Sequence, residues 1–372
     1  MKFLIIPDSF KESMTSLEAC NAIEKGIRKV IKNSEIIKIP IADGGEGTTK
    51  SIVLANNGKI YKKFVTGPLG NLVEAEYGIF FKNNKKYGII EMAEAAGLEL
   101  VPLDKRNPLK TTTYGVGELL INILDENVDK IIVGIGGSAT NDAGIGMLQA
   151  LGGKFFDEKN EEIKFGGENL IKIKSIDLTK IDKRLENVDI EVACDVTNIL
   201  FGENGATRVF VRQKGATNEM IESLEKGVIH YSNILRNIFQ KDVSNISGSG
   251  AAGGLGSAFL LIGGKLKSGI DIVLDFNNFD EKVKDVDYIF TGEGSIDNQT
   301  VHGKVISGIA RRKQNKKLIV FAGRVGDVDK LYEIGVDSIF CILNEVCDLE
   351  FALKNGSINL EKTVENVVKI IK

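Results

Sequence analysis

The sequence predicts an α/β fold in which a doubly wound parallel sheet of about six strands is interrupted by a second, mixed α/β domain. Short apolar runs alternate with helical patterns at both ends of the chain, which is typical of βαβ units. The middle of the chain contains a hairpin pattern, which βαβ winding does not produce. The length of 372 residues also exceeds the size at which one hydrophobic core usually stops growing. An insertion between two halves of a doubly wound domain explains these observations together.

The amino-terminal part predicts alternating strands and helices. The predicted strands are Lys2–Ile6, Ile36–Ile39 and Lys59–Val65, and the predicted helices are about Ser16–Lys32 and Gly47–Asn56. Ser16 is a residue type that caps helices well, and an amphipathic pattern follows it.

The carboxyl-terminal part repeats this alternation. Its predicted strands are Tyr288–Phe290, Leu318–Phe321 and Ser338–Ile342, and its predicted helices are about Val301–Arg312, Val328–Ile334 and Leu360–Ile371. Three strands from each end would form one six-stranded parallel sheet. We therefore assign residues 1–65 and 281–372 to one discontinuous domain and residues 66–280 to the inserted domain.

The predicted inserted domain begins with two alternating apolar segments within Glu74–Met92. The polar residues Lys82–Lys86 separate the two segments, as in a β-hairpin. Further predicted elements are a strand before Gly134, a strand at Asp189–Ala193 and a long helix at Asn218–Phe239.

Composition and charge exclude several classes of protein. Hydrophobic residues make up 43% of the chain and charged residues 27%, and 48 basic and 51 acidic residues intermix to a net charge of −3. This balance predicts neither a nucleic-acid partner nor an anionic membrane partner. We find no export signal and no membrane-spanning stretch, so we expect a cytoplasmic protein. The four scattered cysteines form no CxxC pair and predict free thiols in a reducing compartment.

Hydrophobic runs that end in small residues and a carboxylate occur at four places in the chain. They are Phe3–Lys11, Ile37–Thr48, Ile131–Asp142 and Asp287–Lys304. The carboxyl ends of parallel strands meet at one edge of a sheet, so these segments predict one composite site for a phosphate and its metal. Carboxylates held close together resist ionisation. Lys11 or Mg²⁺ would relieve that repulsion, and phosphoryl transfer needs positive charge of both kinds.

The segment Ile131–Asp142 has two competing interpretations. Gly136 and Gly137 would let backbone N–H groups approach an anion, Ser138 would add a donor, and Asp142 could hold Mg²⁺. Alternatively, the segment is a tight turn in which Asp142 caps the next helix. The spacing Gly134-x-Gly136-x-x-Ala139 also matches a dinucleotide fingerprint, but no ribose-binding acid follows at the expected distance. A dehydrogenase is therefore the minor interpretation.

The densest glycine tract, Gly248–Gly256, opens an apolar helical run. Such a tract suits a phosphate at a helix amino terminus or close packing of helix on sheet. We favour the phosphate, because glycine carries a high entropic cost when packing is its only purpose. A standard P-loop sequence is absent.

Isolated polar residues supply further candidates. Asp195 ends a predicted strand, where it could accept the proton of an attacking hydroxyl or simply bond to nearby backbone. Arg106, Lys214 and Arg324 are candidates for binding a substrate carboxylate.

Eight motifs in a fixed order resemble the bacterial glycerate kinase family of the two-domain type. They are PDSFK (7–11), ADGGEGT (42–48), TTYGVGEL (112–119), GIGGSATND (134–142), CDV (194–196), QKGA (213–216), GSGAAGGLG (248–256) and TGEGSIDNQTVHGK (291–304). The chain departs from the family at three places: Glu12 replaces a usual glycine, Ile199 a proline, and Val211–Arg212 a glycine-proline pair. These departures bear on local geometry and substrate preference more than on the reaction.

The resemblance implies Mg²⁺-dependent transfer of the γ-phosphoryl group of ATP to D-glycerate, with 2-phosphoglycerate favoured over 3-phosphoglycerate as the product. It also implies a Rossmann-like domain and a second α/β domain that enclose the active site in a cleft. An NAD-dependent hydroxyacid dehydrogenase and a non-catalytic sugar-acid or nucleotide sensor remain as alternatives. A homo-oligomer is compatible with the sequence.

The residue roles that follow from this resemblance divide into four sets. Lys11 would act on the transferring group, and Asp195 or Asp297 would be the base. The substrate-binding candidates are Asp8, Ser9, Arg106 and Arg324. The phosphate-binding candidates are Gly136, Gly137, Ser138, Gly250, Gly253, Gly254 and Lys304. The metal-binding candidates are Asp43, Asp142 and Glu293.

Overall fold

Two larger sheets and one two-stranded sheet organise the chain in a computed structural model that describes residues 1–41, 52–53, 56–239, 242–302 and 305–372. The chain divides into two compact units. Unit 1 comprises Met1–Thr48 and Ile270–Lys372, and unit 2 comprises Thr49–Gly269.

The described residues contain the following elements. In chain order the strands are β1 (Lys2–Ile5), β2 (Glu35–Lys38), β3 (Lys59–Thr66), β4 (Leu72–Lys82), β5 (Lys85–Glu91), β6 (Lys130–Gly134), β7 (Lys154–Phe156), β8 (Ser175–Asp177), β9 (Asp189–Ala193), β10 (Lys265–Lys267), β11 (Tyr288–Ile296), β12 (Lys317–Val325) and β13 (Ser338–Cys341). The α-helices with described bounds are α1 (Ser16–Val30), α2 (Ala93–Ala96), α3 (Tyr114–Asp125), α4 (Ile145–Ala150), α5 (Ala206–Phe210), α6 (Asn218–Phe239), α7 (Ala251–Leu261), α8 (Gly269–Phe276), α9 (Phe279–Lys282), α10 (Val305–Arg312), α11 (Asp329–Glu333), α12 (Leu349–Lys354) and α13 (Gly356–Ile371).

The sheet of unit 1 has five parallel strands in the order β13-β12-β11-β1-β2. Alternate residues of its strands point to opposite faces, so Phe3 and Leu4 join two different cores. Helices α1 and α13 pack on the Phe3 face, and α8, α10 and α11 pack on the Leu4 face. Both faces are therefore covered, as parallel sheets require.

The prediction of six parallel strands in this sheet is wrong, because the sheet has five. Residues 59–66 form β3, which pairs antiparallel with β4 in unit 2 and does not join the sheet of unit 1. The link between the two strands is a tight turn in which the Gly67 amide donates to the Asn71 carbonyl at 2.6 Å and Gly70 has φ +82°. The turn residues Gly67–Asn71 hold β3 beside its neighbour in sequence, where pairing costs little loop entropy.

The sheet of unit 2 has six strands in the order β10-β9-β6-β5-β4-β3. Strands β3, β4 and β5 are antiparallel neighbours, whereas β5, β6, β9 and β10 run parallel. The predicted hairpin is confirmed: β4 and β5 are joined by Asn83 and Asn84, both with positive φ. Asparagine tolerates this left-handed backbone better than most residues.

Several other predicted elements are confirmed. Helix α1 begins at Ser16 as predicted, but Thr15 and not Ser16 is the capping residue, and it forms a capping box with Glu18 of the first turn. Strand β11 runs further than predicted, through Glu293 to Ile296, so the polar loop starts only at Asp297. The predicted helix over 47–56 lies outside the described residues, apart from residues 52, 53 and 56. Within the described chain, every helix is too short or too polar to cross a membrane.

Candidate functional site

In unit 1, polar residues gather where β1 and β11 end side by side. Asp8 follows β1, and its amide donates to the Gly292 carbonyl of β11 at 2.9 Å. The segment that leads to Lys11 then passes over Gly294, where an added methyl group would lie 3.4 Å from the Lys11 amide nitrogen. The Lys11 segment therefore lies within ordinary contact distance of the strand that carries Glu293.

The pKa of Glu293 is shifted by its burial and by the charged residues of this group. Burial, followed by the nearby charges of Asp8 and Asp297, raises its pKa, while Lys11 and a hydrogen bond from Thr300 lower it. The result is a pKa of about 7. The structure thus brings three predicted site residues, Asp8, Lys11 and Asp297, within electrostatic reach of Glu293.

A Glu293→Gln variant should change how the stability of the protein depends on pH. The pKa of Glu293 rises from 4.5 to about 7 on folding, so the native state binds more protons than the unfolded state between these values. The free energy of unfolding of the wild type should therefore fall as pH rises through this window, by about 1 to 3 kcal/mol more than in the variant. Urea unfolding at about pH 5 and about pH 8 measures the difference. Equal slopes for the wild type and Glu293→Gln would contradict this assignment, and Glu350→Gln, an exposed change, serves as the control.

The remaining candidates of unit 1 are more exposed or lie outside the described residues. Ser9 donates its amide to Asp8 Oδ1 at 2.6 Å, which turns the chain immediately after the strand. Arg324 is exposed on β12, with Nη1 3.4 Å from Ser295 Oγ. Asp43 and Lys304 lie outside the described residues.

Glu12, one of the departures from the family pattern, has φ +63°. This left-handed conformation favours glycine, which explains why glycine is usual at that position.

The acids of unit 1 suit Mg²⁺ by their chemistry. Carboxylate oxygens are its preferred protein ligands, and a cation beside Glu293 would remove the repulsion that raises its pKa. Among the described residues, no three His, Cys, Asp or Glu side chains lie close enough to form a complete metal site. Mg²⁺ usually keeps several water ligands and takes one or two carboxylates, so the described acids of unit 1 could supply part of its ligand set.

In unit 2, the loop after β6 presents backbone rather than side chains to solvent. Gly136 and Gly137 are exposed, and no other atom lies within 4 Å of a methyl group built on Gly136. Two backbone hydrogen bonds hold the loop. The Leu98 amide donates to the Gly137 carbonyl at 2.8 Å, and the Ala139 amide donates to the Ala96 carbonyl at 2.9 Å. An open, rigid glycine turn at the end of a parallel strand can bind an anion through its amides.

Asp142, a predicted metal ligand, is fully buried and bonded to protein. Its Oδ2 accepts from the Thr113 amide at 2.8 Å and the Thr113 hydroxyl at 2.9 Å, and its Oδ1 accepts from the Gly144 amide at 3.1 Å. Burial raises the pKa of Asp142, while these hydrogen bonds oppose the shift. The carboxylate joins the start of α3 to the loop before α4, and its metal role stays a prediction.

Lys214 lies behind the same loop. Its side chain is 2% exposed, and Nζ donates to Ser138 Oγ at 2.6 Å and to the Thr140 carbonyl at 2.7 Å. Burial lowers its pKa to about 7, against the attraction of the Asp142 charge. The ammonium group is thus occupied by protein atoms rather than presented to a substrate carboxylate.

The glycine tract in Gly248–Gly256 meets backbone at very short range. A methyl group on Gly253 would lie 2.0 Å from the Thr140 carbonyl oxygen, and one on Gly254 2.7 Å from Ala143 Cα. A methyl group on Gly250 would lie 2.1 Å from the Ile199 carbonyl oxygen. Close packing accounts for these three glycines, and their predicted contact with phosphate stays a prediction.

A Gly253→Ala variant should lose about 2 to 4 kcal/mol of stability. Gly253 combines φ +67° with the contact to Thr140, so alanine brings both backbone strain and a clash. Gly263→Ala is the matched control, because Gly263 has φ +88° but no atom near the added methyl group, and it should cost about 1 kcal/mol. Equal losses in the two variants, measured by urea unfolding, would contradict the packing explanation.

Asp195 and Arg106 also have protein partners. Asp195 Oδ1 accepts from the Gly269 amide at the start of α8, at 2.8 Å. Arg106 is half-buried, and its Nε donates to the Val101 carbonyl at 3.5 Å. Their roles in a reaction stay predictions.

The dinucleotide interpretation finds no support in the loop after β6. That fingerprint requires a helix that opens directly after the glycines. Here Ala139–Ala143 form a buried, irregular segment, and α4 begins only at Ile145.

Sequence reasoning did not identify three contacts of the candidate residues, one in unit 1 and two in unit 2. The Thr113 bond to Asp142, the Thr300 bond to Glu293 and the Lys214 bond to Ser138 each join residues whose roles come from tertiary packing. The sequence drew attention to Thr113 and Lys214 only because they lie in the motifs 112–119 and 213–216.

Comparison with known proteins shows the family of the chain. The model of the glycerate kinase family matches residues 3–372. Glycerate kinases of Halalkalibacterium halodurans and Haemophilus influenzae are each 47% identical to this chain, over 99% and 100% of it and 97% and 99% of their own lengths. The glycerate 2-kinase of Escherichia coli is 44% identical over 99% of this chain and 97% of its own length.

A solved structure from Salmonella typhimurium LT2, provisionally assigned as a glycerate kinase 2, gives a TM-score of 0.86 at 46% identity. The match covers 100% of this chain and 98% of that one. Agreement of sequence and fold over the whole length leads to one conclusion: the chain belongs to the glycerate kinase family.

Proposed function

We propose that this protein is an ATP-dependent glycerate kinase that phosphorylates D-glycerate, with 2-phosphoglycerate as the favoured product. The observation that carries the proposal is the match, over nearly the whole chain, to proteins named glycerate kinase at 44 to 47% identity. The name glycerate 2-kinase of the Escherichia coli relative supports attack by the 2-hydroxyl group.

The proposed reaction is an in-line displacement at the γ-phosphorus of ATP. A glycerate hydroxyl oxygen forms the new bond to phosphorus, the bond to the bridging oxygen breaks, and ADP leaves. The hydroxyl proton passes to a carboxylate, for which Asp195 and Asp297 are the candidates. Because the transition state is largely dissociative, removing this base should cost about 10²- to 10⁴-fold in rate.

Positive charge and backbone donors would stabilise the transferring group. Lys11 neutralises its charge, and the amides of Gly136 and Gly137 with the Ser138 hydroxyl bind phosphate oxygens. Gly250, Gly253, Gly254 and Lys304 complete the proposed phosphate contacts. Glu293, Asp43 and Asp142 are the proposed ligands of Mg²⁺, which when bound would neutralise phosphate charge.

The proposed glycerate contacts are Asp8, Ser9, Arg106 and Arg324. Arginine binds a carboxylate through two parallel hydrogen bonds, so Arg106 and Arg324 suit the acid end of the substrate. Asp8 would accept a hydrogen bond from a hydroxyl group of glycerate, and Ser9 would donate one to such a group.

The purified protein should release ADP when it is supplied with D-glycerate, ATP and Mg²⁺. A coupled assay follows ADP, and enolase, which consumes only the 2-phospho isomer, identifies the product. Chelation of Mg²⁺ and replacement by L-glycerate are the controls. ATP binding without turnover would favour the sensor, and reduction of NAD with glycerate would favour the dehydrogenase; either result would overturn the proposal.

Two variants separate the candidate bases. Asp195→Asn and Asp297→Asn each preserve shape and remove one acceptor of a proton. The base is the residue whose replacement lowers kcat by about 10²-fold or more.

A further inference from the structure

We propose that Lys214 is a positioning residue for nucleotide binding: its ammonium group holds the Ser138 hydroxyl so that this hydroxyl donates to a phosphate lying over Gly136 and Gly137. The inference rests on the proposed function, because it assumes that the loop after β6 binds the phosphates of ATP.

The first step of the argument is the direction of one hydrogen bond. A lysine ammonium only donates, whereas a serine hydroxyl donates one bond and accepts up to two. In the protonated form of Lys214, Nζ donates and Ser138 Oγ accepts, at 2.6 Å. Among the described residues the structure records no acceptor for the hydrogen of Ser138, so that hydrogen is left for a ligand.

The second step is that the backbone of this loop is already fixed without Lys214. The residues on either side of Ser138 bond to Ala96 and Leu98, and Ser138 itself forms a bridge with Gly97. The backbone bonds do not fix the orientation of the Ser138 hydroxyl group. Lys214 therefore acts on the orientation of one side chain rather than on the path of the loop.

The third step is that Lys214 is itself held in place. It ends a 3-10 turn, Arg212–Lys214, which Gly215 closes with φ +90° and a close approach to the Arg106 carbonyl. A second bond from Nζ, to the Thr140 carbonyl at 2.7 Å, fixes the ammonium from the other side. Burying a lysine is costly, which argues for a purpose beyond packing.

The fourth step is electrostatic. Gly136 and Gly137 are open to solvent, and Lys214 lies one hydrogen bond behind the neighbouring serine. A hydroxyl that accepts from an ammonium group becomes a stronger donor to an anion, because successive hydrogen bonds polarise one another. The arrangement favours a polyanionic phosphate over a neutral ligand.

The test is a double-mutant cycle on Lys214→Met and Ser138→Ala. Calorimetric titration with AMP-PNP and Mg²⁺ measures nucleotide affinity without turnover. We expect each single variant to raise Kd about tenfold and the double variant to raise it no further, because Ser138→Ala removes the donor hydroxyl and Lys214→Met only leaves that hydroxyl unoriented. The KM for glycerate should stay within about twofold in all three variants. Lys154→Met, which removes a surface ion pair with Glu162, is the control and should bind normally.

Four results would overturn the inference. These are unchanged AMP-PNP affinity in Lys214→Met, unchanged affinity in Ser138→Ala, single effects that multiply in the double variant, and a rise in the KM for glycerate in place of the nucleotide effect. If Lys214→Met does not fold, as judged by circular dichroism, Ser138→Ala decides by itself, because it keeps the buried lysine. Turnover of glycerate by the wild type is measured separately, so a failure of this inference is distinguishable from a failure of the proposed function.

Discussion

Replacing Lys11 with methionine is expected to lower kcat for glycerate phosphorylation by about 10³-fold. A positive charge on the transferring phosphoryl group acts mainly in the transition state, so kcat should fall far more than substrate affinity. Lys11 is exposed, so the melting temperature should barely change. Steady-state kinetics with D-glycerate and ATP measure the effect.

Lys11→Met also has a consequence that does not depend on activity. The Lys11 charge lowers the pKa of Glu293, so that pKa should rise in the variant from its value of about 7. A carbon-13 NMR titration of the Glu293 carboxyl group would show this shift directly. Lys32→Met, at an exposed lysine just beyond α1, is the control. A kcat within about threefold of the wild type would remove Lys11 from the proposed mechanism.

Asp142→Ala is expected to destabilise unit 2 by about 3 to 5 kcal/mol. The substitution leaves the buried donors of Thr113 and Gly144 without their acceptor, and each unpaired buried donor costs about 1 to 3 kcal/mol. Urea unfolding combined with hydrogen exchange of peptides from residues 113–147 measures the loss in this unit separately from unit 1.

Two further variants make the Asp142 prediction specific. Asp142→Asn keeps one acceptor oxygen, so its loss should be smaller than that of Asp142→Ala. Asp104→Ala, at an exposed acid of the same unit, should stay within about 0.5 kcal/mol of the wild type. If Asp142→Ala kept its stability and only lost Mg²⁺ dependence, the carboxylate would be a metal ligand rather than a structural link.

The regular elements of unit 1 were predictable because local patterns specify them. Strand β13 (Ser338–Cys341) coincides with an apolar run in the sequence. Helix α1 begins where a capping residue precedes an amphipathic pattern. Residues 59–66 show the limit of this reasoning. They have the pattern of a strand, but only the Gly67–Asn71 turn assigns that strand to unit 2.

The candidate residues of unit 1 likewise include some that the sequence predicts and one whose position depends on strand pairing. Asp8, Lys11 and Asp297 were predicted because polar residues after apolar runs mark strand ends. That Glu293 lies within a strand, among these charges, depends on how β1 and β11 pair.

Local sequence patterns were enough to predict the α/β class, most strand and helix positions, and the motifs with the family they resemble. Three features depend on how distant segments pack: β3 belongs to unit 2, the pKa of Glu293 rises to about 7, and Lys214 bonds to Ser138, 76 residues away. Residue patterns report the local preferences of the backbone, whereas burial, charge neighbours and hydrogen-bond partners arise from segments that meet only when the chain folds.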